Sequence, residues 1–313
     1  MAKFHRKQVE CLCSENIFEM YYLRNFIIAG SKLELVNYLK QRDKEFLMKY
    51  LKEITPLQQW LVRQKMSRSI LTNEDDGRSI ISTVKGFEVT KECFRQLGLN
   101  SSLKEIVMDA IAALFQLRDD RISDSHHSVN SNRNGYRVRK RSLYLSASFW
   151  RVILEGTKSV DHLKEEYFFG ADWKVEDYLY LYIYLNSFDA GSADPWAMIR
   201  INLVTRRIAY VDGRIDGRIQ PVPPALAHFL GLVKALLQPL LSYLDPGFTN
   251  EWQCEVYRET YFERLNNQYD SGLYATAVTY YLSIGVPLFF DRNSITRLRM
   301  NLAYWMLVGE LPI

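Results

Sequence analysis

A serine followed by a glycine, Ser271-Gly272, opens a stretch whose apolar spacing predicts a helix over Gly272–Ile284. A hydroxyl there would stand at a helix N-terminus, where the dipole favours developing negative charge, and could in principle attack an acyl group. A serine without a general base is nevertheless a poor nucleophile, because an alkoxide is far harder to generate than a thiolate. The histidines that could supply a base are scattered: His126 and His127 in a polar stretch, His162 ahead of a strand pair, and His228 on an expected helix. Each reads as a surface or structurally satisfied histidine. The four cysteines, Cys11, Cys13, Cys93 and Cys254, form neither a CxxC pair nor a zinc-ligand set with neighbouring histidines, so neither a metal nor a cofactor is expected. Cys254, in a strand-like stretch, reads as a core cysteine.

The elements that must hold such residues change character along the chain. From Asn16 to about Ser69, apolar residues recur every three or four positions with breaks near Gly30 and Pro56, which predicts three or four short helices. The turn-rich run Asn73–Gly77 then marks a linker, giving a helical region over 1–86 and a second domain over 87–313. Thr90 to Arg118 again reads as helical. Asp119 to Arg141 loses periodicity and ends in the basic run Arg137–Arg141, which predicts a long exposed loop. Further on, Tyr178–Leu185 is rich in β-forming residues, Trp196–Val204 alternates, and Arg207–Val211 follows a turn, so three consecutive strands of one antiparallel sheet are expected. Helices should follow at about Pro223–Tyr243, Gly272–Ile284 and Ser294–Leu307. Strands clustered between helices make the class α+β.

Composition adds limits. The 313 residues are 48% hydrophobic and 13% aromatic, far from the disordered regime. Forty basic residues against 36 acidic ones leave a net charge of +4, too mild to mark a nucleic-acid-binding face, and the basic run is read as a solvated loop. The most apolar stretch, Ala225–Leu244, is interrupted by His228, Lys234, Gln238 and Pro239, and reads as a buried or amphipathic helix rather than a membrane span. With no signal-peptide pattern at the start, an intracellular setting, nuclear or cytoplasmic, is expected.

The order of elements and several local signatures resemble the ubiquitin-like-protein-specific (SUMO-type) cysteine proteases of the papain-like superfamily over residues 87–313. Val89-Thr90-Lys91-Glu92-Cys93 stands where that family has a threonine-led helix. Ser102-Leu103-Lys104-Glu105-Ile106 stands at its Trp-Leu-Asn-Asp helix entry, without the tryptophan. Leu143–Trp150 stands for a strand feature of the family that comes before the strand leading to its His-Trp motif. Pro195-Trp196 occupies the His-Trp position, and Tyr210-Val211-Asp212-Gly213 matches the strand that ends in the catalytic Asp. Trp252 stands for a further tryptophan. Leu265-Asn266-Asn267-Gln268-Tyr269-Asp270-Ser271-Gly272 stands for the Gln-x-Asn-x-x-Asp-Cys-Gly segment that carries the oxyanion glutamine and the nucleophile.

The resemblance implies a papain-like core with a central, mostly antiparallel sheet flanked by helices. It implies catalytic positions at Pro195, Asp212, Leu265 and Ser271, and a channel for the modifier's tail lined by Trp196, Trp252, Asn267, Asp270 and Gly272. Of the catalytic roles only Asp212 keeps its residue. Proline cannot act as acid or base, and leucine offers no hydrogen bond to an oxyanion, a loss of roughly 3–4 kcal/mol. Loss of triad members removes about 10⁴–10⁶ in turnover, so a pseudoprotease is expected, one that works by binding a ubiquitin-like modifier or a modified protein. The alternatives are an active hydrolase using Ser271 and a scaffold acting through the N-terminal helices.

Overall fold

In the computed structural model the described residues are 56–71, 79–98, 101–130, 141–156, 178–186, 195–213, 222–244, 252–257, 268–284, 288, 290 and 292–311. The helices expected before Pro56, the Asn73–Gly77 linker, Leu265, Asn267 and most of the basic run lie outside them.

The chain order is α1 (Pro56–Leu71), a hairpin of β1 (Ile80–Val84) and β2 (Phe87–Thr90), α2 (Lys91–Gln96), α3 (Glu105–Asn130), β3 (Arg141–Leu145) and α4 (Ala147–Glu155). Then come β4 (Tyr178–Asn186), β5 (Trp196–Asn202), β6 (Arg207–Val211), α5 (Pro224–Leu244), β7 (Gln253–Val256), a 3₁₀ turn (Gln268–Asp270), α6 (Ser271–Ser283) and α7 (Arg292–Val308). The main sheet has the order β3-β4-β5-β6-β7. Its three central strands are antiparallel, as the alternation predicts, while the edge strands β3 and β7 run parallel to their neighbours, so the sheet is mixed.

The repeating Tyr-Leu-Tyr-Leu-Tyr-Ile-Tyr-Leu of β4 sets the two faces, because successive side chains of a strand point to opposite sides. Tyr182 and Tyr184 join Tyr144, Trp196 and Met198 on one face, against α3, α6 and α7. Leu181, Ile183 and Leu185 join Leu143, Leu145, Ala197, Ile199 and Ile201 on the other, against α4 and α5. Helix α5 is long and apolar enough over Pro224–Ser242 to cross a bilayer, but Leu226, Leu230, Val233, Leu237, Leu240 and Leu241 pack it onto the sheet.

Two expectations fail, the second for a reason that the structure shows. The helical reading of Thr90–Arg118 breaks between Gln96 and Glu105, and the expected loop after Asp119 is the continuation of α3 to Asn130. The polarity read as exposure is buried instead, since Gln116, Asp119 and Ser123 are core residues. Gln116 Oε1 accepts the Tyr144 amide at 3.1 Å and Asp119 Oδ2 accepts the Ser142 amide at 2.6 Å, so polar side chains of α3 satisfy the free edge of β3.

The β1–β2 hairpin turns at Lys85-Gly86, both with positive φ, so the sequence boundary at 86 falls inside a paired element. Val62 of α1 and Val84 of β1 belong to the same core as α3 and α7, and Ser82 Oγ donates to the Met306 carbonyl.

Candidate functional site

Three chain segments meet where β5 begins. Val211 pairs with Met198, so Asp212 and Gly213 leave the sheet at the end where Pro195 and Trp196 enter it. Helix α6 points its first residue to the same place: the Trp196 backbone N–H donates to Ser271 Oγ at 3.0 Å. One turn along α6, the Tyr274 ring lies so close to Gly213 that a Cβ there would come within 2.6 Å of a ring carbon. Only glycine fits. Pro195, Trp196, Asp212, Gly213, Ser271 and Gly272 are thus neighbours, although they span 78 positions of sequence.

Each has its partners. Ser271 is 3% exposed, and its Oγ accepts an amide N–H. Pro195 is buried beside it and brings no titratable group. Asp212 is buried, and its Oδ2 accepts the Tyr210 hydroxyl at 3.1 Å. Burial, and secondarily the Asp212 charge, push the Tyr274 phenol far above its ordinary value, so it stays protonated near neutral pH. Trp196 is a core residue whose indole N–H donates to the Leu103 carbonyl. Gly272 faces the Leu103 side chain, which would lie 3.1 Å from an added Cβ. The one histidine whose side chain is described, His228, is exposed on α5, the helix that covers the other face of the sheet.

Asp270 has a structural task. Its Oδ1 accepts from Arg299 Nη2 at 2.6 Å and Nε at 3.3 Å. The same guanidinium donates to the carbonyls of Gln96, Gly98, Ser101 and Tyr269. Arg299 therefore ties the turn that presents Ser271 to the segment between α2 and α3. Trp252 is not part of this group, since it is buried in the aliphatic core on the opposite face of the sheet. Sequence reasoning missed Arg299, which looks like any arginine in a helix that also carries Arg297. It also missed Tyr274, whose position three residues after Ser271 was the available signal.

What the group can do chemically is limited. Ser271 has a helix N-terminus and an amide beside it, and its neighbour Pro195 cannot accept a proton. Among the described residues no cluster of three or more His, Cys, Asp or Glu could hold a metal.

No protein-family model and no curated protein sequence matches the chain. Solved structures do. The SUMO protease Ulp1 with its catalytic cysteine oxidised to a sulfenic acid superposes with a TM-score of 0.59 at 15% identity, covering 83% of this chain and 97% of that one. The C-terminal Ulp1 protease domain in complex with Smt3, the yeast ortholog of SUMO, gives 0.55 at 16% identity over 83% and 97%. The Ulp1-like SUMO protease catalytic domain of Chaetomium thermophilum gives 0.58 at 16% identity over 84% and 92%. At this identity the likeness is one of fold: the chain has the α+β, papain-like fold of the Ulp1-like SUMO proteases.

Proposed function

We infer that the chain is a pseudoprotease, a protein with the scaffold of a SUMO-type protease that works by binding a ubiquitin-like modifier or another protein partner and does not cleave it. The observation that carries this reading is the state of Ser271: buried, hydrogen-bonded to the Trp196 amide, and next to a proline. Turnover by this mechanism needs an acid–base group at the nucleophile, and removal of such a group costs orders of magnitude in rate. The partner class rests on the fold neighbours, one of which was solved in complex with Smt3. Trp196 and Gly272, at the family's tail-channel positions, are both packed against Leu103, which favours recognition of the folded body of a modifier over threading of its tail. The setting proposed is intracellular, nuclear or cytoplasmic.

A second reading, a scaffold acting through the N-terminal helices, has its own support: Leu57, Trp60 and Leu61 of α1 are exposed, Trp60 by 53%. Titrating the full chain with mature SUMO-type and ubiquitin-type modifiers, and repeating it with Leu57→Ser/Trp60→Ser, separates the two. Saturable modifier binding unaffected by the double variant supports the first reading. Absence of modifier binding, with cellular partners lost from the double variant, supports the second.

A further inference from the structure

A helix on a globular surface ordinarily turns charged residues to water. Helix α5 does not. Of its 21 residues only Lys234 carries a formal charge, and that side chain is half-buried and within electrostatic reach of Cys254 on β7. The side away from the sheet is a stripe of exposed residues, Ala225, His228, Leu232, Ala235, Pro239 and Ser242, separated by alternating steps of three and four. That is the spacing of a seam between two helices.

The chemistry of the stripe limits what can cover it. Without a charge it offers no complement to an acidic or a basic surface. A bilayer surface is also a poor fit, because interfacial helices combine Lys or Arg on one side with large apolar anchors on the other. Leu232, 50% exposed, is the one large apolar side chain among the exposed residues described on α5. Ala225 and Ala235 instead keep the surface low, so the backbone of another helix can come close.

The steps along the stripe are the same in both directions. Laid antiparallel on a copy of itself, it sets Ala225 against Ser242, His228 against Pro239 and Leu232 against Ala235, each layer occurring twice about a two-fold axis. The leucine meets an alanine, so bulk faces a gap. The His228 layer adds direction. Pro239 has no N–H, so the carbonyl of Ala235 lacks its helical donor and leaves an acceptor on the stripe. His228, opposite Pro239 in this register, brings an imidazole N–H to the level of that acceptor. Each chain thus offers one donor and one acceptor that the other copy completes. We propose that the outer face of α5 is a homodimer contact, packed antiparallel on α5 of a second copy of this chain.

Helix α5 is about 30 Å long, and a seam of that length is at the small end of specific interfaces, so the dimer is a reversible one formed at roughly micromolar concentration. The contact is separate from the Ser271 group, whose Trp196 and Tyr274 belong to the core on the opposite face of the sheet. The test is sedimentation equilibrium of the full chain over a range of concentrations, where a monomer–dimer equilibrium is expected. Leu232→Lys and Ala235→Glu change exposed residues, and each alone should give monomer throughout, because each puts a charge into an apolar layer. An equimolar mixture of the two should dimerise, since the antiparallel register sets the new ammonium of one against the new carboxylate of the other. His228→Ala should weaken association about thirtyfold, the effect of two ordinary hydrogen bonds per dimer. A chain that stays monomeric, a dimer that survives Leu232→Lys, or a mixture that fails to associate overturns the proposal. So does capture of the monomer by phosphatidylcholine vesicles that Leu232→Lys abolishes, which would assign the face to lipid.

Discussion

The two faces of the main sheet solve the folding problem in different ways. One face of β4 carries Leu181, Ile183 and Leu185 into a core with the aliphatic side chains of α5, and little there demands a polar partner. The opposite face of the same strand carries Tyr182 and Tyr184 into a core where arginine, threonine, serine and aspartate are also buried. Aliphatic burial is non-directional and contributes about 25 cal/mol per Å² wherever it occurs, so the first face needs only shape. Each polar group buried on the second costs free energy unless a partner stands in the right direction. The candidate site lies at the end of the second, where Trp196, Ser271 and Tyr274 belong to the aromatic core. The contrast teaches that the aliphatic core and the candidate site share a sheet here but lie on opposite sides of it.

A large effect should come from the polar side. Arg299→Met leaves the half-buried Asp270 without this cation and releases four buried or part-buried carbonyls, and should cost about 3 kcal/mol. Adding Asp270→Asn should recover part of that loss, measured by denaturant unfolding. If Arg299→Met proved neutral, the polar face would not depend on directional partners and the contrast would fail. On the aliphatic face, Ile183→Ala should cost about 2–5 kcal/mol through lost burial and a residual cavity, with Ile183→Val costing about 0.5–1.5. That graded response to volume alone is what a non-directional core predicts. The smallest of the three is Gly213→Ala, which drives a methyl group into the Tyr274 ring and should cost about 1–3 kcal/mol. Gly213→Ala/Tyr274→Ala should give less than the sum of its parts, because the second change removes the clash.

Much of this was legible in the sequence. The Tyr/Leu alternation of β4 announced a two-sided strand, and the helices at 224–244, 271–283 and 292–308 lie within two residues of their expected positions at either end. The pairing of β4, β5 and β6 followed from the short turn and the matched alternation. The fold class followed from strands clustered between helices. What could not be read is long-range and polar. The parallel edge strands are set by connections of more than 30 residues, which carry no turn signature. The polar run after Arg118 looked solvated because composition cannot tell a residue facing water from one facing an unpaired strand edge. At the site, the meeting of Trp196 with Ser271 was implied by the family resemblance. The hub at Arg299 and the plate of Tyr274 over Gly213 were not, because each depends on contacts far apart in the chain. Trp252 lies just before the short edge strand β7 and is buried in the aliphatic core, and one aromatic residue beside so short a strand gives no indication in the sequence of which face it serves.

The central claim, that the site keeps its geometry but lacks its acid–base group, is tested most directly by one substitution and one reagent. Ser271→Cys restores a thiol at the N-terminus of α6, and a SUMO-type modifier carrying a C-terminal electrophile reports any thiolate it can reach. With Pro195 beside it, that thiol has no imidazole to form an ion pair, and the single variant should be labelled no faster than the exposed-thiol background of the wild-type chain. Pro195→His/Leu265→Gln/Ser271→Cys should be labelled faster than any of its three parent single variants, since the roles act as a unit. Rapid stoichiometric labelling of Ser271→Cys alone, abolished by removing one native histidine, would show a relocated base and contradict the account.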